Sequence, residues 1–217
     1  VQQQGRGRRG NDWLSDHADG FWFSILVRPE TNAENLGLLS LVMSLSVHDA
    51  FDAVGYTGSA IKWPNDIVSL QTGRKICGIL SEASFEDQRL SFAVIGCGIN
   101  VSQKAFPDSI ESKATSLFLE GVTHVTKELL LIDILAAFKK RYDEFLRAPS
   151  EMLCDYRSLC VTLGREVRVE GALPIIGKAY DIDTLGRLIV RDANSQVHVL
   201  SAGDVSVRGI MGYTDVR

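Results

Sequence analysis

Arginines interleaved with glycines open the chain, in a pattern that suits the binding of an anion. Residues Gly5 to Gly10 read GRGRRG. The glycines let the backbone approach a ligand closely and disfavour a stable helix, and the planar arginine forks match carboxylate and phosphate oxygens. The segment predicts a loop that folds over a nucleotide or an acyl phosphate. The alternative is a disordered RG-rich arm that binds RNA.

A second motif places a lysine and a carboxylate around a proline. Residues Lys62 to Asp66 read KWPND. Pro64 fixes the backbone and holds Trp63 extended. Lys62 and Asp66 together favour a polar site at the mouth of a sheet. The alternative is a surface strand end with an ordinary ion pair, which contributes little to stability.

Two further motifs put glycines inside predicted strands. Gly73 to Leu80 reads GRKICGIL, with two cations before the strand, and Ile95 to Val101 reads IGCGINV. A glycine within a strand often marks the close approach of a ligand. The alternative for the first motif is a hairpin turn with a glycine tolerated for packing. No helix follows the GxG of the second motif, which excludes a dinucleotide-binding turn. We expect Gly96 and Gly98 to leave space for a flat ligand.

The elements that must position these residues follow from hydrophobic periodicity. An apolar, aromatic run predicts a buried strand over Phe21 to Arg28, and a buried helix is expected to begin at Thr31 or Asn32 and end at Gly55. Between Ala60 and Val101, short apolar runs alternate with turn signals, which indicates an antiparallel meander.

The second half of the chain divides into helices and then strands. One helix is predicted to bury a single face, and a shorter helix is expected from Pro149 to about Cys160. Short β-rich runs separated by turns follow over 161–207 and favour a small barrel or sandwich. We therefore expect a domain boundary near residue 160. The predicted helix face consists of Leu131, Leu135, Phe138, Tyr142 and Phe145.

Composition narrows the class of protein. The 217 residues carry a formal net charge of -4 and are 45% hydrophobic, which is ordinary for a globular protein and argues against a dedicated nucleic-acid binder. The four cysteines have no CxxC spacing and the four histidines are scattered, so we expect no zinc site. Neither a membrane span nor a signal peptide is expected, and reduced thiols favour the cytoplasm.

The four motifs, in this order, resemble those of biotin protein ligases. Ala114 to Leu117 and Gly203 to Arg208 extend the resemblance over nearly the whole chain. Lipoate ligases share that fold but lack GRGRRG and KWPND. The resemblance implies an α+β fold with a mixed, largely antiparallel sheet, packed helices and a C-terminal SH3-like β-barrel. The corresponding domains are a biotin- and ATP-binding catalytic domain over 1–160 and the barrel over 161–217.

The resemblance also implies an activity. Such enzymes adenylate biotin with ATP, assisted by Mg²⁺, and then transfer biotin to a lysine of a biotin carboxyl carrier protein. The partner would be the carrier domain of a biotin-dependent carboxylase. A homodimer stays open, and neither a membrane nor a nucleic acid is indicated as a partner.

Site residues follow from the same resemblance. Lys62, Arg8, Asp66 and Lys75 would be catalytic, with Asp66 orienting or deprotonating the acceptor lysine. The expected biotin-binding residues are Gln2, Arg6, Gly7, Arg8, Lys62, Gly78, Gly96 and Gly98. The expected nucleotide-binding residues are Arg6, Arg8, Arg9, Trp13, Lys62, Asn65, Lys75 and Asn100, with Mg²⁺ near Asn100. Trp13 would pack either on the closed loop or in the core.

One family feature has no counterpart in this sequence. A Ser-Thr-Asn-like motif that contributes to the site for the biotin ureido group precedes GRGRRG in the family, and here only four residues precede Gly5. The sequence therefore also allows a catalytically incomplete fragment that binds biotin or biotinyl-AMP. A sheet element and a helix would be missing with the motif, leaving an exposed sheet edge.

Overall fold

Five antiparallel strands in the first half of the chain form the sheet that carries the predicted motifs. The computed structural model describes residues 2, 4–10, 13–15, 18–29, 33–87, 89–170, 174–202 and 206–209. The strand order is β1-β5-β4-β3-β2, and consecutive strands from β2 to β5 are neighbours, which confirms the meander. The strands are β1 (Gly20–Val27), β2 (Ser59–Lys62), β3 (Asp66–Ser69), β4 (Lys75–Glu86) and β5 (Arg89–Asn100).

The strand predicted over Phe21 to Arg28 is present as β1, but the prediction that it is buried is wrong. β1 lies at the edge of the sheet and pairs with β5 along its whole length. Because an edge strand has a neighbour on one side, its outer residues keep contact with solvent, and Leu26 is 50% exposed.

A buried helix packs on one face of this sheet, as predicted. Helix α1 (Leu36–Ala53) follows a 3-10 turn at Ala33–Asn35. Gly55, with φ of +86°, lies just beyond its end. The expected capping residues Thr31 and Asn32 lie outside the described residues. α1 has the length and hydropathy of a membrane span, but 67% of it is buried inside the fold, as in the core helix of a globular protein.

The helices of the middle region follow in sequence. They are α2 (Asp108–Glu111), α3 (Lys127–Arg147) and α4 (Pro149–Leu159), and the last matches the predicted helix that begins at Pro149. Thr126 caps α3 by accepting a hydrogen bond from the backbone of Leu129.

The buried face of α3 differs in part from the prediction. Phe138 and Phe145 are buried as expected, whereas Leu131 is partly buried and Leu135 is 44% exposed. Arg141 lies on the buried face because its guanidinium is bonded to Asp49 of α1, which satisfies its charge. The observed stripe is Leu130, Ile134, Phe138, Arg141 and Phe145.

A second five-stranded antiparallel sheet follows α4, with the order β10-β6-β7-β8-β9. Strands β6 to β9 correspond to the β-rich runs predicted after residue 160, and the architecture agrees with the expected small SH3-like unit. Within the described residues, the two end strands β9 and β10 are not paired with each other, so the sheet is open there. The strands are β6 (Glu166–Glu170), β7 (Ile175–Ile182), β8 (Leu188–Asp192), β9 (Val197–Leu200) and β10 (Ser206–Gly209).

The two sheets meet at the KWPND motif. The buried indole of Trp63 donates a hydrogen bond to the carbonyl of Gly186, at 3.0 Å. The backbone N–H of Trp63 donates to the hydroxyl of Thr162, also at 3.0 Å. The same motif that carries predicted site residues therefore joins the first sheet to the second.

Candidate functional site

A cavity of about 470 Å³ lies on the face of the first sheet opposite to α1. Strand register separates the two faces, because side chains alternate along each strand. Gly78 pairs with Gly98, and Leu80 pairs with Gly96, and these residues face the cavity. Their odd-numbered neighbours face α1, as shown by the hydrogen bond from Ser40 of α1 to Ser81 of β4.

The GRGRRG segment covers this cavity as the tip of a short hairpin-like loop. The N–H of Gln2 bonds the carbonyl of Ser15 and the N–H of Trp13 bonds the carbonyl of Gly5, both at 3.0 Å. A Cβ at Gly5 would lie 2.3 Å from the carbonyl oxygen of Trp13, so only glycine fits there. The 3-10 turn over Arg8–Gly10 closes the tip.

Most of the predicted loop residues line the cavity. Gln2, Arg6, Gly7 and Arg8 all belong to its wall. The side chain of Arg9 lies outside the described parts of the structure, so its predicted role stays a prediction.

Trp13 lies on two of the three glycines that were predicted to make room for a ligand. A Cβ at Gly78 would lie 2.7 Å from the indole, and one at Gly98 would lie 2.8 Å from it. The indole therefore packs on the sheet beneath the loop, where only glycines allow it. Gly96 is different, because the nearest atom to an added Cβ is 3.5 Å away. Open space in the cavity thus lies over Gly96.

A β-bulge brings Lys75 to the cavity. Asp66 pairs with Gly78 and Ile67 with Cys77, but Val68 pairs with Lys75, so β4 has one extra residue at this point. Lys75 is three residues from Gly78. In a regular strand, residues an odd number apart point to opposite faces, so without the bulge Lys75 would face α1. With it, the Lys75 ammonium lines the cavity, 2.6 Å from Asp66 Oδ1 and 4.9 Å from the centroid of the Trp13 ring.

Lys62 pairs with Asp66 across β2 and β3, on the other side of that carboxylate from the cavity wall. Burial lowers the pKa of Lys62 against the opposing effect of Asp66, and the nearby charges of Lys75 and Arg208 lower it further. Among the described residues that line the cavity, Lys75 is present whereas Lys62 and Asp66 are not. The structure thus places Lys75 at the cavity wall and Lys62 two strands away from Gly78 on the same face of the sheet.

Asn65 connects the loop to the sheet. Its side-chain oxygen accepts a hydrogen bond from Arg8 Nη1 at 3.0 Å, and its side-chain nitrogen donates to the carbonyl of Ile79 at 2.6 Å. Asn65 is buried and lines the cavity. The KWPND motif therefore holds a loop arginine in place through Asn65.

Asn100 forms hydrogen bonds with the segments that follow β5. Its amide nitrogen donates to the carbonyl of Thr115 at 2.9 Å, and its amide oxygen accepts from Gln103 at 3.3 Å. It is buried at the end of β5 and is absent from the described cavity wall. In the described part of the chain, no three His, Cys, Asp or Glu side chains converge as a metal site.

Several residues of the cavity wall were not predicted from the sequence. Three of them belong to β1, namely Trp22, Phe23 and Ser24. They were missed because β1 was predicted to be a buried strand. Glu82 continues the alternation from Gly78 through Leu80 on β4, so a period of two could have found it. Gln4 lies in the loop and had no distinguishing signal.

The charges on the wall favour an anionic ligand. Arg6, Arg8 and Lys75 supply three cations, and Glu82 is the one carboxylate among the described wall residues. The wall also has an apolar part, formed by Trp22, Leu80 and Val94 near Gly96. The arrangement can hold a largely apolar molecule at one end and gather its acidic group with phosphates at the other.

Two family models match the chain. Residues 1–100 match the biotin/lipoate A/B protein ligase family, and residues 162–208 match the biotin protein ligase C terminal domain.

Similar proteins agree with this assignment. The biotin--[acetyl-CoA-carboxylase] ligase of Mycobacterium tuberculosis is 35% identical over 210 residues, which are 94% of this chain and 75% of the relative. The bifunctional ligase/repressor BirA of Bacillus spizizenii is 32% identical over 206 residues, which are 93% of this chain. This chain spans 62% of the length of that relative and 64% of the length of its Bacillus subtilis counterpart.

A solved structure supports the fold. The biotin protein ligase from Aquifex aeolicus in complex with biotin and ATP superposes with a TM-score of 0.83 at 30% identity, covering 96% of this chain and 86% of that chain. Sequence, family models and fold agree, and the chain belongs to the biotin protein ligase family.

Proposed function

We propose that this protein adenylates biotin with ATP and transfers the biotinyl group to a lysine of a carrier domain. The observation that carries the proposal is the set of three cations, Arg6, Arg8 and Lys75, on the wall of a cavity that also has large apolar side chains. The Aquifex aeolicus relative, whose structure contains biotin and ATP, supports the choice of substrates.

The first step joins two anions, so cations must reduce their repulsion. An oxygen of the biotin carboxylate attacks the α-phosphorus of ATP, the bond from that phosphorus to the bridging oxygen breaks, and pyrophosphate leaves. Arg6 and Arg8 would bind the carboxylate and the α-phosphate. We assign the charge nearest the reacting atoms to Lys75, because its ammonium lines the cavity, and give Lys62 a supporting role through Asp66.

The apolar part of biotin fits the end of the cavity over Gly96. There an added Cβ would meet no atom closer than 3.5 Å, and Trp22, Leu80 and Val94 form the walls. Gln2 and Ser24 are the polar wall residues that could bond the ureido group. Gly78 and Gly98 would act indirectly, by allowing Trp13 to lie flat on the sheet.

The nucleotide would extend from the cationic end beneath the loop. Trp13, Asn65 and the loop arginines are its proposed contacts, and Asn100 would contribute by holding the end of β5. Mg²⁺ would arrive bound to the ATP phosphates, since the described residues offer no cluster of three metal ligands. Its contribution would be to neutralise the departing pyrophosphate.

In the second step a neutral lysine of the carrier attacks the carbonyl carbon of biotinyl-AMP. The bond from that carbon to the phosphate oxygen breaks, and AMP leaves with the bonding electrons. Asp66 remains the proposed residue for orienting or deprotonating this lysine, and its 2.6 Å contact with Lys75 would couple it to the reacting centre.

The proposed partner is the biotin carboxyl carrier domain of a biotin-dependent carboxylase, in line with the names of the relatives from Mycobacterium tuberculosis and Paracoccus denitrificans. We place the reaction in the cytoplasm, where the thiols stay reduced, and all four cysteines are free. A homodimer is compatible with this scheme.

The deciding experiment measures biotin-dependent pyrophosphate release from ATP and then biotin transfer to a purified carrier domain. We expect both from the wild-type chain, and Lys75→Met should lower pyrophosphate release about 100-fold or more, as expected for the loss of a transition-state contact. Lys62→Met is the matched control and should have the smaller effect.

The rival function is a binding protein without turnover. A folded wild-type chain that binds biotin and releases no pyrophosphate would favour this alternative and refute the enzymatic proposal.

A further inference from the structure

The backbone of Lys75 is held on both sides by neighbouring segments. On one side, its N–H donates to the carbonyl of Lys113 at 2.8 Å, and its carbonyl accepts from the N–H of Thr115 at 2.9 Å. On the other side, next to the bulge in β4, the N–H of Ser69 donates to the carbonyl of Arg74 at 2.9 Å. The placement of Lys75 at the cavity therefore depends on both flanking segments as well as on its own side chain.

One carboxylate joins these two flanks. Glu120 Oε1 accepts a hydrogen bond from the hydroxyl of Thr115 at 2.8 Å, and its Oε2 accepts from the hydroxyl of Ser69 at 2.7 Å. The hydroxyls of Tyr56 and Thr72 also donate to this carboxylate, at 3.2 Å and 3.3 Å. Because an ionised acceptor strengthens a hydrogen bond, Glu120 ties the segment after α2 firmly to the β3–β4 turn.

Thr115 is the residue on which the contacts converge. Its N–H bonds the carbonyl of Lys75, its carbonyl accepts from the amide of Asn100 at 2.9 Å, and its hydroxyl bonds Glu120. Thr115 is 2% exposed, so each of these polar groups is satisfied within the protein. Loss of the hydroxyl would leave the backbone bond to Lys75 in place but free the segment to shift.

We propose that Thr115 and Glu120 are positioning residues for Lys75, which hold the two flanks of the bulge so that the Lys75 ammonium stays at the cavity wall. This inference rests on the proposed ligase function, in which Lys75 supplies the charge nearest the reacting atoms. Since a displacement of about 1 Å can lower a rate about 100-fold, a shift of Lys75 should reduce kcat more than it reduces substrate binding.

Thr115→Val is the first test, because valine keeps the shape of threonine and lacks its hydroxyl. In biotin-dependent pyrophosphate release, kcat should fall about tenfold while KM for biotin and for ATP stays within about threefold. Thr115→Ser restores the hydroxyl and should stay within about twofold of wild type. Ser46→Ala removes a buried hydroxyl that bonds the carbonyl of Val42 within α1, and this matched control should leave kcat unchanged.

A double-mutant cycle separates positioning from a general loss of stability. The ammonium is already absent in Lys75→Met, so adding Thr115→Val should lower the residual kcat by less than about twofold. Glu120→Gln should likewise lower kcat when Lys75 is present and have little further effect in Lys75→Met. A full tenfold loss from Thr115→Val in the Lys75→Met background would overturn the inference, because the hydroxyl would then act independently of Lys75.

A measurement without substrates tests the same placement. The Lys75 ammonium lies 4.9 Å from the centroid of the Trp13 ring, so this ring should shift the NMR signal of the ¹³C-methylated amine, which Lys75→Arg identifies by its loss. Thr115→Val should move the signal towards that of an exposed lysine, and Ser46→Ala should leave it in place. An unmoved signal or an undiminished kcat in Thr115→Val overturns the inference. A wild-type chain that releases no pyrophosphate refutes the ligase function instead, and the NMR signal then decides alone whether Thr115 places Lys75.

Discussion

The two faces of the first sheet use the same strands for opposite purposes. On the face towards α1, Ile67, Ile79 and Ile95 are at most 2% exposed and belong to one continuous core. On the other face, glycines and Trp13 take the equivalent positions beneath a loop, and a cavity remains open. The difference shows that alternation along a strand places one set of residues in the core and the adjacent set at the cavity.

The largest effect should come from truncating the core face. Ile67→Ala removes a side chain with no exposed surface and should lower the free energy of unfolding by about 2–5 kcal/mol. Urea titration measures this cost, and activity per folded molecule should be retained. A cost below about 1 kcal/mol would mean that this face is less tightly packed than the structure indicates.

Gly5→Ala should lower stability less than Ile67→Ala does, but it should lower biotin affinity strongly. The added Cβ would clash with the backbone carbonyl of Trp13 at 2.3 Å, so the loop must move away from the cavity. Calorimetry should show biotin affinity reduced about tenfold or more, which corresponds to about 1.4 kcal/mol. Unaltered affinity would show that the loop does not position the ligand.

Trp63→Phe tests the junction between the sheets. The substitution leaves the carbonyl of Gly186 without its indole donor and should cost about 1–2 kcal/mol of stability. Thermal unfolding followed by circular dichroism gives the cost. Stability equal to wild type would indicate that the two sheets are held together by other contacts.

The mildest test uses the cysteines and alters no residue. Cys154 is exposed, whereas Cys77, Cys97 and Cys160 are buried, and burial raises the pKa of Cys77 and Cys160. One thiol per molecule should therefore react quickly with a maleimide in the native protein, and peptide mapping should identify it as Cys154. Rapid labelling of Cys77, which lies beneath the cavity on the core side, would contradict the packing of that face.

Much of the fold was predictable because local patterns and tertiary packing agree. The core helix, the meander and four of the five C-terminal strands, β6 to β9, follow from hydrophobic periodicity and turn residues. The edge position of β1 was not predictable, since its apolar sequence resembles that of a central strand. The buried face of α3 shifted because Arg141, paired with Asp49, takes a core position.

The sequence predicted which motifs form the candidate site, but it did not predict how their side chains are arranged. The resemblance predicted the loop and both lysines as site residues, but of the two lysines only Lys75 is among the described residues of the cavity wall. Its position there depends on a bulge in β4 that no residue in the sequence indicates. Likewise, glycines at 78 and 98 indicated close approach by a flat group, and that group is the protein's own Trp13. Register and packing across strands decide such details, and a single sequence does not specify them.

The comparison of the two faces is tested most directly by substituting neighbours on β5, Gly96→Val and Ile95→Val, and measuring biotin affinity and unfolding free energy for each. The Gly96 variant should lose biotin affinity about 100-fold with little change in stability, because its side chain would enter the open cavity. The Ile95 variant should lose about 1 kcal/mol of stability and retain its affinity. Equal losses of affinity in the two variants, or unchanged affinity in the Gly96 variant, would contradict the assignment of that face to biotin.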